Sequence, residues 1–282
     1  MEELAQRNIV LDFEVIALIA LVLGVVGYSW GRFFLKREPD ASSPFRAIDL
    51  VLMFIPAFFF LLMPLVQVLT PLEKDLAKEA EKIGDLVSGM VNLGYFAFVM
   101  MLLYAILEWI RNIRIVDAFG LKRLSFPVIL LISILGGIGA MIFCGALLGS
   151  VSQDFLGGVF SDLKEQAPVR DFRNSSSQIA LAMKIAMACL AAPLAEELLF
   201  RGYLYGTLKR FTSPLFAAVV SAALFASAHA NLPALLPLWG LAIILVISYE
   251  ATKCLWVPIG IHAFFNAANI VLLLSSAPIG KP

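Results

Sequence analysis

Glu196, Glu197 and Arg201 stand together in a stretch that is otherwise apolar, and the chain's two histidines, His229 and His262, follow in apolar segments of their own. An ionised carboxylate costs a few kcal/mol at bilayer depth, so it needs a partner, a proton or a function there. On a helix Glu197 and Arg201 share a face one turn apart, acid before base, the favourable order for an ion pair. Glu196 then points about 100° away and stays available. The competing structural reading is that all three form one internal ion-pair network holding helices together. Asn266 lies four residues after His262 on the same helical face. A glutamate, two imidazoles and a carboxamide supply the parts of amide hydrolysis. Glu196 would take a proton from water while His229 orients that water or shuttles the proton. His262 and Asn266 would donate hydrogen bonds to the developing oxyanion. Alternatively, Glu196, His229 and His262 could hold Zn²⁺, which would polarise the water. The helical His-Glu-x-x-His zinc pattern is absent, so spacing alone establishes no metal.

These residues need a membrane scaffold. Of 282 residues, 61% are hydrophobic and 15% charged, with a mean hydropathy of +0.90. A soluble domain is about half apolar and about a quarter charged, so the composition is that of an integral membrane protein. Lys plus Arg equals Asp plus Glu at 21 each, leaving no basic excess to suggest nucleic acid. Cys144, Cys189 and Cys254 are scattered in apolar segments without paired spacing and read as packing residues.

A span needs about 20 mostly apolar residues. Eight windows qualify: Phe13–Leu35, Ala47–Leu69, Leu86–Ile110, Phe126–Ser150, Gln178–Arg210, Pro214–Ala230, Leu235–Ala251 and Val257–Ser275. The first continues too long for a signal peptide and reads as a retained span. Pro71 to Asp85 could form a short interfacial helix, with Leu72, Leu76, Ile83 and Leu86 as its apolar stripe. The expected fold is an all-α, polytopic helical bundle forming one membrane domain over residues 1–282. Its catalytic core spans 178–275, and 1–177 supplies additional spans and loops. Odd-numbered connections carry twelve Lys and Arg against eight on the other side, which puts the odd connections in the cytoplasm and both termini outside.

The fifth segment is the longest, and Pro193 interrupts it just before the carboxylates, where a kink is expected. Glu196 lies fourteen residues before Arg210, and His229 fifteen after Pro214. Both therefore sit about 21–23 Å from the Phe211-Thr212-Ser213 turn, at matching depth on antiparallel neighbours. His262 is shallower by the same count. Its convergence requires that the Trp256–Pro258 end dips into the membrane or that the fifth helix projects past the interface.

At these residues the chain resembles the CPBP family of intramembrane proteases, also called the CAAX-protease or abortive-infection family. Glu196-Glu197-Leu-Leu-Phe200-Arg201 matches its Glu-Glu-x-x-x-Arg motif, Phe225-x-x-x-His229 its second motif and His262-x-x-x-Asn266 its third. The resemblance covers about Gln178 to Ser275 and uses both histidines. It implies a polytopic helical protease of the cell membrane whose site opens to the cytoplasm. Glu196 and His229 are then assigned to water activation, and His262 and Asn266 to the oxyanion, with Glu197, Arg201, Phe200 and Phe225 in support. Family members are described both as metalloproteases and as glutamate-dependent proteases, so Zn²⁺ stays an open cofactor. The implied partners are membrane lipids and a protein or peptide substrate, membrane-anchored in some relatives, with no nucleic acid. A non-catalytic scaffold or bacteriocin-immunity pseudoprotease of the same fold is the alternative. A secondary transporter would need pseudo-symmetric halves, and there is no second Glu-Glu stretch.

Overall fold

A computed structural model of the chain describes residues 43–60, 84–152, 172, 178–229 and 234–275. The expected first span, residues 71–83 of the expected interfacial helix and most of the 151–177 connection lie outside these residues. All regular structure among the described residues is helical. In chain order the helices are α1 (Asp49–Phe60), α2 (Gly84–Tyr104), α3 (Ile115–Ala118), α4 (Phe126–Ala140), α5 (Gln178–Phe211), α6 (Pro214–Ser227), α7 (Leu235–Thr252) and α8 (Trp256–Ser275). π-Helical turns extend α2 over Ala105–Ile110 and α4 over Met141–Leu148.

Five of these helical stretches are long and apolar enough to cross a membrane: Gly89–Ile110, Phe126–Ser152, Gln178–Phe211, Leu235–Thr252 and Trp256–Ser275. The expectation of eight spans is therefore not met among the described residues. α6 ends at Ser227 after 14 residues, which at 1.5 Å per residue is about 21 Å and short of the hydrocarbon thickness. α1 is likewise a shorter apolar helix, and its expected continuation to Leu69 lies outside the described residues. Large apolar side chains such as Phe126, Leu131, Leu135, Ile142 and Leu215 face outwards, as lipid-facing positions do.

α5 is the spine. Its 34 residues give about 51 Å of helix, well beyond a bilayer core. The helix is not uniform: π segments cover Met187–Ala191 and Leu198–Tyr205, flanking six α-helical residues, Ala192–Glu197. Pro193 stands at the start of that α-helical piece, directly after a π segment. Its ring has no N–H to donate and would crowd a regular preceding turn, and a wider turn relieves both problems. The expected irregularity at Pro193 is thus a π segment on either side of the Glu-Glu pair.

Glycines set the close approach of α8. Added Cβ atoms on Gly136 and Gly137 of α4 would run into Ile261 and Phe264, and one on Gly260 would run into Ser133. α4 and α8 therefore meet across a small-residue surface, the packing that brings helices nearest in a membrane. The α7–α8 turn is sunk into the protein, with Cys254, Leu255 and Val257 all buried. Lys253 adopts the left-handed conformation there (φ 53°), and the Leu255 amide donates to the Phe119 carbonyl at 3.0 Å. Gly120 (φ 62°) lies against the Lys253 carbonyl where no side chain would fit. The start of α8 is thus largely packed inside the protein, and α5 is long enough to project past a bilayer core.

α1 is fastened by a buried acid. Asp49 is 0% exposed and accepts from Arg111 Nε at 2.8 Å, Arg111 Nη2 at 2.9 Å, Tyr203 Oη at 3.1 Å and the Arg46 amide at 2.6 Å. These hydrogen bonds raise the Arg111 pKa above its ordinary value. They also tie α1 and the end of α2 to α5, two turns beyond the Glu-Glu pair. Asp49→Asn keeps the shape but leaves Arg111 facing an amide. It is expected to cost about 3 kcal/mol, read as a lower thermal transition of purified protein. An unmoved transition would mean that the network contributes nothing net.

Candidate active site

The Glu-Glu pair lies inside the bundle. Glu196 is 7% exposed, Glu197 0% and Arg201 1%. Arg201 Nη1 donates to Glu197 Oε1 at 2.8 Å across one helical turn. The guanidinium also lies 4.3 Å from the centre of the Phe225 ring and directs Nη2 to the Ala242 carbonyl of α7 at 3.4 Å. Phe225 is completed by edge-on contact with Phe200, which in turn meets Phe60 of α1. Phe200 and Phe225 thus form an aromatic wall behind the ion pair.

His262, 3% exposed, comes in from α8. Its Nδ1 is 2.9 Å from Glu197 Oε1, and its Nε2 is 3.8 Å from Glu196 Oε2. A carboxylate already paired with arginine can only accept, so Nδ1 carries the hydrogen and Nε2 faces Glu196. Among the described residues Glu196 Oε2 has no hydrogen-bond partner, and neither has Glu197 Oε2. With the imidazole neutral, two carboxylates and one guanidinium leave one excess negative charge in a buried cluster. One added proton makes it neutral.

His229 sits differently. It follows the end of α6, is exposed, and places Nδ1 2.8 Å from the Phe225 carbonyl. A carbonyl cannot donate, so this bond fixes the hydrogen on Nδ1 and leaves Nε2 as a lone pair. The ring stacks obliquely on Phe225 with centroids 4.8 Å apart, and Phe225 also touches His262 at 5.6 Å. Phe225 therefore stands between the two imidazoles. Within 4.0 Å the carboxylate of Glu196 meets His262 and, among the described residues, not His229. Asn266 Nδ2 donates to the Ala188 carbonyl in the first π segment of α5 at 2.8 Å, leaving its second N–H uncommitted to that bond. Asn269 donates to Phe265 in its own helix.

Glu196, Glu197, Arg201 and His262 thus converge directly, Asn266 joins them through α5, and His229 stays at the rim. Arg201 is one of the twelve cations in the count for the odd-numbered connections; it is buried within a span, which removes one positive charge from the side assigned to the cytoplasm. Among the described residues no group of three or more His, Cys, Asp or Glu side chains is arranged to hold a metal ion. Glu196, His229 and His262 do not form a ligand set as placed. The motif spacing does not mark Asp49, although an acid inside an expected span was the available signal. Gly27-Tyr28-Ser29-Trp30-Gly31 has the Gly-x-Ser-x-Gly spacing of a nucleophile turn but lies outside the described residues, and among the described residues there is no strand, which that motif requires.

Comparison with known proteins points the same way as these motifs. Residues 178–268 match the family model for Type II CAAX prenyl endopeptidase Rce1-like proteins. The chain is 30% identical over 95 residues to the "Putative membrane peptidase YdiL" of Bacillus subtilis (strain 168), covering 34% of this chain and 39% of that protein. It is 31% identical over 111 residues to the "Membrane-embedded CAAX protease MroQ" of Staphylococcus aureus (strain USA300), covering 36% of this chain and 45% of the relative. The chain thus spans less than half the length of these relatives. No solved structure matches it significantly. The chain is a multi-pass helical membrane protein, and the segment that carries Glu196, Glu197, Arg201, His229 and His262 is similar to the Rce1-like CAAX prenyl endopeptidases.

Proposed function

We propose that the protein is an intramembrane endopeptidase of the cell membrane, acting on a protein or peptide presented at the cytoplasmic side. The observation that carries this reading is Glu196 itself: a buried carboxylate whose Oε2 has no hydrogen-bond donor among the described residues, facing the imidazole of His262. Such an oxygen is suited to accept a proton from water. In this mechanism Glu196 removes the water proton as the oxygen attacks the peptide carbonyl. His262, held through Nδ1 by Glu197, offers Nε2–H to the oxyanion in its imidazolium form. The remaining amide N–H of Asn266 assists. His229, with its free Nε2 lone pair at the exposed rim, receives or relays the proton on its way to the leaving amine. Glu197 and Arg201 position these groups without touching the substrate.

The test is comparative proteomics of membrane fractions from cells carrying wild-type protein or Glu196→Gln. New N-termini that disappear in the variant are expected. If none depends on Glu196, the non-catalytic scaffold of the same fold takes the place of the enzyme. The steps above run through side chains alone, so purified active protein is expected to keep its rate after dialysis against a chelator. Stoichiometric zinc lost together with activity would overturn this route.

A further inference from the structure

An open cavity of about 380 Å³ lies at the end of α2, well apart from the Glu-Glu cluster in sequence, and its lining includes Arg46, Arg111, Asn112, Arg114 and Asp117. The lining thus holds three arginines and one aspartate, with Asp49 bound to Arg111 from behind. Arg114 Nε meets Asp117 at 3.2 Å, but both side chains are largely exposed, at 76% and 61%, so this pair is weak. Arg111 commits Nε and Nη2 to Asp49 and is itself only 10% exposed, so Arg46 and Arg114 are the exposed cations of the lining. The Arg46 side chain is exposed and makes no ion pair among the described residues.

The cavity is also preformed. The Ile113 amide donates to the Leu107 carbonyl at 2.8 Å, and Ile113 is buried, so the loop is pinned on both sides of Asn112. Asn112 itself takes the left-handed conformation (φ 51°), which lets the chain turn tightly between Arg111 and Arg114. The level is set by what precedes it. The span Gly89–Ile110 ends one residue before Arg111, and Trp109 (72% exposed) and Ile110 (61%) point outwards there. An exposed tryptophan at a span end marks the headgroup region, where the charge of a lipid lies and where acyl chains begin.

We infer that this arginine-lined cavity binds a phosphate group, and specifically the phosphodiester of an anionic phospholipid whose acyl chains lie along Trp109 and Ile110. Free phosphate shares the same chemistry at the guanidinium groups, but only a lipid would use the apolar surface beside them.

The experiment uses the full chain purified in neutral detergent. Its thermal transition is followed during titration with short-chain phosphatidylglycerol, phosphatidylcholine of the same chain length, or inorganic phosphate. Phosphatidylglycerol is expected to raise the transition at concentrations at least about tenfold below phosphatidylcholine. The double variant Arg46→Ala, Arg114→Ala removes two exposed side chains, so its transition without lipid should be unchanged while the preference for phosphatidylglycerol is lost. Equal protection by phosphatidylcholine, or a preference retained by the variant, would overturn the site. Protection by inorganic phosphate at the concentrations where phosphatidylglycerol acts would overturn the lipid as its source.

Discussion

Glu196→Gln is expected to abolish peptide cleavage while leaving the protein folded and inserted. The amide keeps the length and shape of the side chain but cannot take a proton from water. Loss of a positioned general base removes about 10²–10⁴ in rate, and a water attacking an unactivated amide has little to fall back on. Stability should move the other way. The Glu196 carboxylate shares the His262 imidazole with the still more deeply buried Glu197, and its Oε2 has no hydrogen-bond partner among the described residues. Removing that charge relieves a buried repulsion, so the thermal transition should hold or rise. The two readouts together separate the base from the alternative in which Glu196 belongs to a structural ion-pair network. A variant that cleaves normally refutes the base. A variant that loses both cleavage and stability returns Glu196 to the network. His229→Ala is the companion: the side chain is exposed and makes one hydrogen bond among the described residues, to its own chain segment, so cleavage should fall with no change in the transition.

The polar cluster was more legible than the scaffold that holds it. Helical spacing puts Glu197 and Arg201 on one face, and the ion pair at 2.8 Å follows from that geometry alone. Motif order brought in both histidines. Depth counting paired Glu196 with His229, whereas Glu196 faces His262 at 3.8 Å. Counting from a turn assumes regular helices that start at the membrane surface. The first condition does not hold here: π segments change the rotation per residue on both sides of the pair, and the α7–α8 turn packs against Phe119 and Gly120. Hydropathy windows had a related limit. Pro214–Ala230 is apolar enough to span, but nothing in its composition announces that the helix stops at Ser227. The glycine contacts between α4 and α8 were equally silent, since a glycine in an apolar run reads the same whether or not another helix lies against it.

Arg201→Ala is expected to be the most destabilising single change at the site. Arg201 is 1% exposed and, with His262 neutral, is the only cation among the described residues paired with Glu197, which is itself 0% exposed. Deleting one member of a buried pair leaves the other charge without compensation and costs about 3–5 kcal/mol. Here the loss is compounded, because the guanidinium also covers the Phe225 ring at 4.3 Å and reaches the Ala242 carbonyl of α7. Glu197 would then have only His262 to neutralise it, and the imidazole would be drawn into a tighter charge pair at the expense of its Nε2 contact with Glu196. A thermal transition lowered by many degrees, with cleavage lost as a consequence, is therefore expected. Arg201→Lys keeps the charge but neither the planar fork nor the face-on contact with Phe225, so it should recover only part of the stability. Glu197→Gln in the Arg201→Ala background distinguishes uncompensated charge from lost packing. If the transition recovers when the orphaned carboxylate is removed as well, charge is the cause; if it does not, the guanidinium served mainly as a packing element against Phe225. An Arg201→Ala transition equal to that of the wild type would remove the ion pair from any structural role, and with it the division of labour between Glu197 as the positioning acid and Glu196 as the base.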